Sequence, residues 1–126
     1  MSSVCQSCLG DLPDGERYHS ACLKRLFGAA RLPVIDVELA KLHTFALAMV
    51  GHTTLTGAQK KLSLRLDSGA TLRVGVDGTA FILKPRTDTF PGLVQNEHLS
   101  MRLAAEVGIE VPPNALVPMK DGEISY

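Results

Sequence analysis

The stretch that decides the fold runs from residue 62 to residue 84 and reads LSLRLDSGATLRVGVDGTAFILK. Apolar residues alternate with polar residues or glycine in two parts of it: Leu62, Leu64 and Leu66, then Leu72, Val74 and Val76. A period of two is typical of half-buried strands, and the turn sequences Asp67-Ser68-Gly69 and Asp77-Gly78 bound the second of them. A third strand is predicted at Phe81-Ile82-Leu83-Lys84, where Pro85 ends it. The stretch therefore predicts a three-stranded antiparallel meander.

Helical patterns lie on both sides of this stretch. Residues 36–50 carry apolar residues at steps of three and four, with Asp36 as the candidate N-cap and Gly51 as a stop. The same periodicity returns at residues 93–107, where Gly108 is expected to end the helix. Residues 115–117 and 123–126 predict two further short strands. Together these patterns predict an α+β fold with a twisted antiparallel sheet and two flanking helices.

Composition limits the classes of function. The chain has 126 residues, 45% of them hydrophobic, and thirteen basic residues balance thirteen acidic ones. Zero net charge and six Phe and Tyr residues disfavour nucleic-acid binding, and the longest apolar run is far shorter than the roughly 20 residues that a membrane span needs. The first residues lack the charged and apolar regions of a signal peptide, so a cytoplasmic location is expected, where cysteines stay reduced or bind metal.

The first 32 residues form a separate element rich in metal-ligand residue types. Cys5 and Cys8 make one close pair, and His19 and Cys22 make a second. Zinc takes four such ligands tetrahedrally and would contribute folding energy to this segment. The pattern predicts a structural zinc site; the alternative is three reduced thiols with His19 packed beside Tyr18. We expect residues 1–32 and 33–126 to be two units.

A loop suited to phosphate precedes the first strand. Residues 51–59 read GHTTLTGAQ, and their glycines and hydroxyl residues let backbone N–H groups converge on an anion. An ordinary surface loop uses the same residue types. Lys84 ends the third strand among apolar neighbours, and Glu97 falls on the apolar stripe of the second helix with Val94 and Met101. In protein kinases a strand lysine and a helix glutamate pair near the nucleotide phosphates. The alternatives are a lysine whose head reaches water and a glutamate paired with Arg102 or with nothing.

Three segments resemble the successive motifs of HipA-family kinases: residues 54–62 (TLTGAQKKL), residues 81–85 (FILKP) and residues 90–98 (FPGLVQNEH). The resemblance covers residues 33–126, and the start is similar to the short HipT-like branch. It implies the ATP-binding N-lobe of a serine/threonine kinase that uses ATP with Mg, in a bacterial toxin–antitoxin system whose typical substrates are translation proteins. The nucleotide-site residues so implied are Thr54, Leu55, Thr56, Gly57, Ala58, Gln59, Lys84 and Glu97, and Thr54 and Thr56 match the autophosphorylated positions.

The same resemblance implies what this chain lacks. The family carries its catalytic and magnesium-binding aspartates in a C-lobe that would follow residue 126, and phosphoryl transfer needs both. We therefore expect no kinase activity from these residues unaided, and we expect the missing C-lobe or a separate kinase core as a partner. The alternative function is a zinc-knuckle interaction module, antitoxin-like, that regulates such a core. Loss of ATP binding in Lys84→Ala would separate the two.

Overall fold

The computed structural model describes residues 3–41, 61–68, 70–75, 78 and 80–126. The predicted phosphate loop at 54–59 and most of the predicted helix at 36–50 lie outside these residues. Of that helix, the described part is a 3-10 turn at Leu39–Lys41. Asp121, and not Asp36, accepts the N–H of Leu39, at 2.9 Å. Asp36 instead pairs with Lys120 and Arg73.

The central sheet has four strands in the order β3-β5-β4-β6, with bounds Val34–Ile35 (β3), Leu62–Asp67 (β4), Thr71–Val74 (β5) and Phe81–Leu83 (β6). Strand β4 pairs antiparallel with both β5 and β6, while β3 runs parallel to β5. The predicted strands are therefore confirmed, but the predicted meander order is wrong because β6 returns beside β4 instead of β5. Leu62, Ser63 and Leu64 are all buried, as expected of a strand in the middle of a sheet.

In the described part of the chain two helices flank the sheet, and one of them was predicted. Helix α2 runs over Leu93–Glu106, within one residue of the expected end, and Gly108 follows at φ 87°. The N–H of Gly108 bonds Ala105 and that of Ile109 bonds Ala104, a Schellman pattern that satisfies the last carbonyls. Helix α1, Ser20–Phe27, was not predicted, and it ends at Gly28 with φ 78°. None of the helices in the described ranges has the length and apolar composition needed to cross a membrane.

The described residues also contain two small hairpins. At the start of the chain β1 (Ser3–Val4) pairs with β2 (Asp11–Leu12), and near its end β7 (Val117–Pro118) pairs with β8 (Ile124–Ser125). The end of the chain also joins the sheet, because Pro85 forms a bridge with Ser125. Residues 84 and 126 exchange both backbone hydrogen bonds, at 2.7 and 2.9 Å. The backbone of Lys84 is therefore fixed between β6 and the second hairpin.

One hydrophobic core joins the N-terminal element to the sheet. Its buried members from the first 32 residues are Cys5, Leu12, Tyr18 and Leu23, and they contact Ile35, Val37 and the inward leucines of the sheet. Phe27 of α1 packs on Phe81 of β6 with ring centroids 5.5 Å apart. The α+β class is confirmed, whereas the division into units at residue 32 stays a prediction.

Candidate functional site

Lys84 and Glu97 form an ion pair between strand β6 and helix α2. Their side chains are only 24% and 23% exposed, so both charges are largely withdrawn from water. The pairing follows from the sequence: Glu97 lies one helical turn after Val94, which is fully buried, and so faces the sheet. The predicted contact between these two side chains is present, and the alternative pairing of Glu97 with Arg102 is not among the described ion pairs.

Tyr126 adds a second contact on the lysine. Its ring centroid lies 5.5 Å from Nζ of Lys84, within the range of a cation–π contact. Burial, together with the negative charge of Glu97, raises the pKa of the Tyr126 phenol to about 12. Among the described residues its hydroxyl has no hydrogen-bond partner. The ammonium of Lys84 is thus held by a carboxylate and an aromatic face at once.

His98, beside Glu97 in α2, is a packing residue. It is 2% exposed, and its Nδ1 lies 3.1 Å from Oδ1 of Asn114. Burial lowers the pKa of His98, an effect that the hydrogen bond with Asn114 opposes and the charge of Arg102 reinforces. A neutral imidazole with Nδ1–H donating to the amide oxygen fits this environment. Sequence reasoning missed Asn114 because no spacing rule links it to residue 98.

Strand β6, which Lys84 directly follows, also presents an exposed apolar residue on the same face. Ile82 precedes Lys84 by two positions, and alternate residues of a strand share a face. It is 54% exposed, whereas Leu83 between them is buried in the core. An uncovered isoleucine next to a paired lysine offers a flat apolar contact beside a cation. The loop residues 54–59 that were predicted to complete this site lie outside the described residues.

The four cysteine and histidine side chains of the N-terminal element meet in space. One ligand atom from each of Cys5, Cys8, His19 and Cys22 lies within 4.8 Å of all the others. Nδ1 of His19 is 3.3 Å from Sγ of Cys8 and 3.9 Å from Sγ of Cys22. Four ligands at tetrahedral positions about zinc lie roughly 3.5–3.8 Å apart, given Zn–S of about 2.3 Å. The group could therefore hold a metal ion.

Local backbone structure brings the four side chains of this cluster together and orients them. Leu9 adopts φ 63°, which turns the chain after Cys8 so that the N–H of Gly10 points at Sγ of Cys8 from 3.4 Å. The N–H of His19 approaches Sγ of Cys5 at the same distance. Nε2 of His19 lies 3.0 Å from the carbonyl of Asp11, which orients the ring so that Nδ1 faces the sulfurs. Cys22 lies in the first turn of α1.

The thiols of the cluster differ in their acidity. Burial raises the pKa of Cys5, but backbone N–H groups of Cys8, His19 and Ser7 outweigh it and lower the pKa to about 6. Burial and hydrogen bonding to the neighbouring cysteines raise the pKa of Cys22 to about 11. The His19 pKa is raised, mainly by its hydrogen bond with Cys8. The Cys5 thiolate therefore forms readily, and its negative charge disfavours ionisation of Cys22. A bound cation would remove this repulsion between thiolates.

Several acidic residues outside these two sites pair with arginines. Asp67 pairs with Arg65 and Arg73, and Asp88 pairs with Arg86 at 2.9 Å. Arg86 also reaches Glu123 of the second hairpin at 2.5 Å. These carboxylates fix turns and strand ends, and Asp77 lies outside the described residues.

Two known proteins are similar to about half of this chain. A protein of Sinorhizobium fredii named "Putative kinase Y4mE" is 46% identical over 61 residues, which are 48% of this chain and 14% of that protein. A protein of Haemophilus influenzae named "Putative kinase" is 39% identical over 64 residues, which are 51% of this chain and 18% of that protein. The chain therefore spans less than a fifth of either relative's length. Residues 53–126, more than half of the chain, match the HipA-like C-terminal domain, and the chain belongs to this HipA-like family.

Proposed function

We propose that this chain is the nucleotide-binding lobe of a HipA-like serine/threonine protein kinase. The observation that carries the proposal is the largely buried pair of Lys84 and Glu97. Kinases use such a pair to hold a cation against the nucleotide phosphates. In this proposal Lys84 contacts phosphate, Glu97 orients Lys84, the backbone of residues 54–59 covers the phosphates, and Ile82 contacts the base. Family membership and the kinase names of two relatives support it.

The complete protein would transfer phosphate from ATP with Mg to a protein of the translation apparatus, as a toxin restrained by an antitoxin. Thr54 or Thr56 would be the hydroxyl that is autophosphorylated and regulates the loop. These 126 residues alone would bind nucleotide without sustained turnover, because the catalytic and metal-binding aspartates are expected in a C-lobe. Incubation with labelled ATP and a generic protein substrate tests this expectation, and sustained phosphate transfer would contradict it.

Nucleotide binding by the Lys84 variant is the decisive test. ATP with Mg is titrated into isotopically labelled protein, and binding is followed by changes in the NMR chemical shifts of the protein, which detect even millimolar affinity. Lys84→Ala should weaken binding at least tenfold, since the cation contributes a charge-assisted contact of more than about 1.4 kcal/mol. Lys120→Ala is the matched control, because that lysine is 55% exposed and pairs with Asp36 elsewhere. Equal affinities of the Lys84 variant and the wild type would exclude the kinase-lobe proposal.

We also propose that Cys5, Cys8, His19 and Cys22 bind a structural zinc ion. The tight grouping of their ligand atoms and the second hydrogen bond of His19 support a closed site. A zinc-knuckle interaction module, antitoxin-like, is the alternative function, and the same cluster favours it. Metal analysis of protein purified without chelator should give about one zinc per chain, falling sharply in Cys8→Ser. A stoichiometry near zero in the wild type would end the zinc proposal.

A further inference from the structure

The metal-binding cluster is tied to residues 114–116 by three hydrogen bonds. The N–H of Leu116 donates to the carbonyl of Gln6 at 2.8 Å, and Oγ of Ser7 donates to the carbonyl of Asn114 at 2.8 Å. The hydroxyl of Tyr18 donates to the carbonyl of Leu116 at 2.6 Å. Gln6 and Ser7 lie between two cysteine ligands, and Tyr18 precedes the histidine ligand. All three contacts therefore depend on the backbone that the cluster shapes.

Asn114 connects this segment to helix α2 through its side chain. Its Oδ1 meets Nδ1 of His98 at 3.1 Å, and its Nδ2 donates to the carbonyl of Pro112 at 2.8 Å, which fixes the amide. His98 is 2% exposed and directly follows Glu97. A change in the position of Asn114 would therefore move or release His98, the residue next to the carboxylate that holds Lys84.

A second route reaches Lys84 itself. Residues 114–116 lead into β7, where Val117 pairs with Ser125 of β8, and the buried Ser125 hydroxyl donates to the carbonyl of Val117 at 3.3 Å. Tyr126 then exchanges both backbone hydrogen bonds with Lys84. Both members of the ion pair are thus connected to the same segment, residues 114–116, that the cluster contacts.

We propose that Asn114 is a positioning residue through which metal occupancy of the Cys/His cluster controls the Lys84–Glu97 pair. The regular structure of residues 3–22 is limited to the two-residue strands β1 and β2 and the first turn of α1, so binding of a metal ion by four ligands would add folding energy to the element and give it two states. In the metal-bound state the cluster holds residues 114–116, which lock α2 through His98. Without metal the three hydrogen bonds are lost, and α2 is released. This inference rests on the proposed function for its consequence, a metal-dependent affinity for nucleotide.

The test is a cycle of metal removal and substitution at Asn114. Wild type and Asn114→Ala are each compared as zinc-loaded and chelator-stripped protein. The first measurement is amide hydrogen exchange in α2 and at the amides of Lys84 and Tyr126, which needs no nucleotide. The second is the affinity for ATP. Stripping the wild type should speed exchange in α2 and weaken ATP binding about 5- to 10-fold, at the low end of typical couplings between sites.

The variants separate positioning from general destabilisation. Zinc-loaded Asn114→Ala should already resemble stripped wild type, and stripping it further should change either measurement less than twofold. Asn114→Asp keeps an oxygen that accepts from Nδ1–H of His98 and should restore most of the zinc-dependent protection. Asn96→Ala is the matched control, because that asparagine lies exposed on the same helix and should behave as wild type.

Each outcome decides the inference. Unchanged exchange in α2 on stripping zinc from wild type, equal responses of wild type and Asn114→Ala, or a wild type that binds no zinc would overturn it. Zinc-dependent exchange together with no ATP binding in any form would reject the proposed function and keep the link between the cluster and α2. ATP binding that is independent of zinc would reject the inference and keep the proposed function.

Discussion

The coupling energy of Lys84 and Glu97 can be measured by unfolding a set of variants. The set is Lys84→Met, Glu97→Gln and the double variant. Two unit charges about 4 Å apart attract by roughly 4 kcal/mol at an effective dielectric constant of about 20, before desolvation is subtracted. Exposed pairs retain about 0.2–1 kcal/mol, and removing one partner of a fully buried pair costs about 3–5 kcal/mol. With each side chain about one quarter exposed, we expect a coupling of about 1–2 kcal/mol.

Urea unfolding followed by circular dichroism provides the assay. A slope of about 1–3 kcal/mol per molar urea converts the expected coupling into a midpoint difference of several tenths of a molar or more. Lys41 and Glu38 supply the matched control, since they pair at 3.6 Å with 65% and 30% exposure and should couple by no more than about 0.5 kcal/mol. If the coupling at Lys84 and Glu97 does not exceed that of the control pair, the burial reasoning behind the proposed site is refuted.

Three further predictions concern Tyr126, His98 and the core. Tyr126→Phe should raise the unfolding free energy by about 1 kcal/mol, because the lost hydroxyl has no partner among the described residues. Wild type should lose stability as the pH rises from about 10 to about 12, because the phenol ionises first in the unfolded chain, and the variant should lose less over that range. His98→Gln should lessen the stability lost as the pH falls below 6.5, because the buried imidazole of the wild type is protonated more readily after unfolding; urea titrations between pH 7 and 5 measure this. Leu64→Ala should cost about 2–5 kcal/mol, as that side chain is 1% exposed, whereas Ile82→Ala should stay within about 0.5 kcal/mol, and similar losses in both would contradict the assigned core.

The features that could be predicted from sequence are those that depend on the spacing of residues close together in the chain. Helix α2 follows from a continuous apolar period and a terminal glycine, and the same period brings Glu97 to face the strand of Lys84. The cysteine and histidine cluster follows from two close pairs of ligands. In each of these, residues a few positions apart determine the geometry, so one window of sequence contains the necessary information.

The features that were missed depend on contacts between distant residues. Strand β6 pairs with β4, and the turn predicted at Asp77-Gly78 does not specify that partner. Strand β3 has two residues, too few for a period, and α1 offers only Leu23, Leu26 and Phe27 as an apolar stripe. The bond between His98 and Asn114 joins polar residues sixteen positions apart, and such pairs follow no repeating pattern.

The shared core has a consequence for how this domain can change in evolution. Cys5, Leu12, Tyr18 and Leu23 belong to the core that the sheet packs against, so a polypeptide begun at residue 33 would expose the apolar residues of the sheet that these four cover. Loss of the cysteines in a related sequence would therefore require new apolar side chains on α1 or the first hairpin. Ligand loss and core enlargement should be found together.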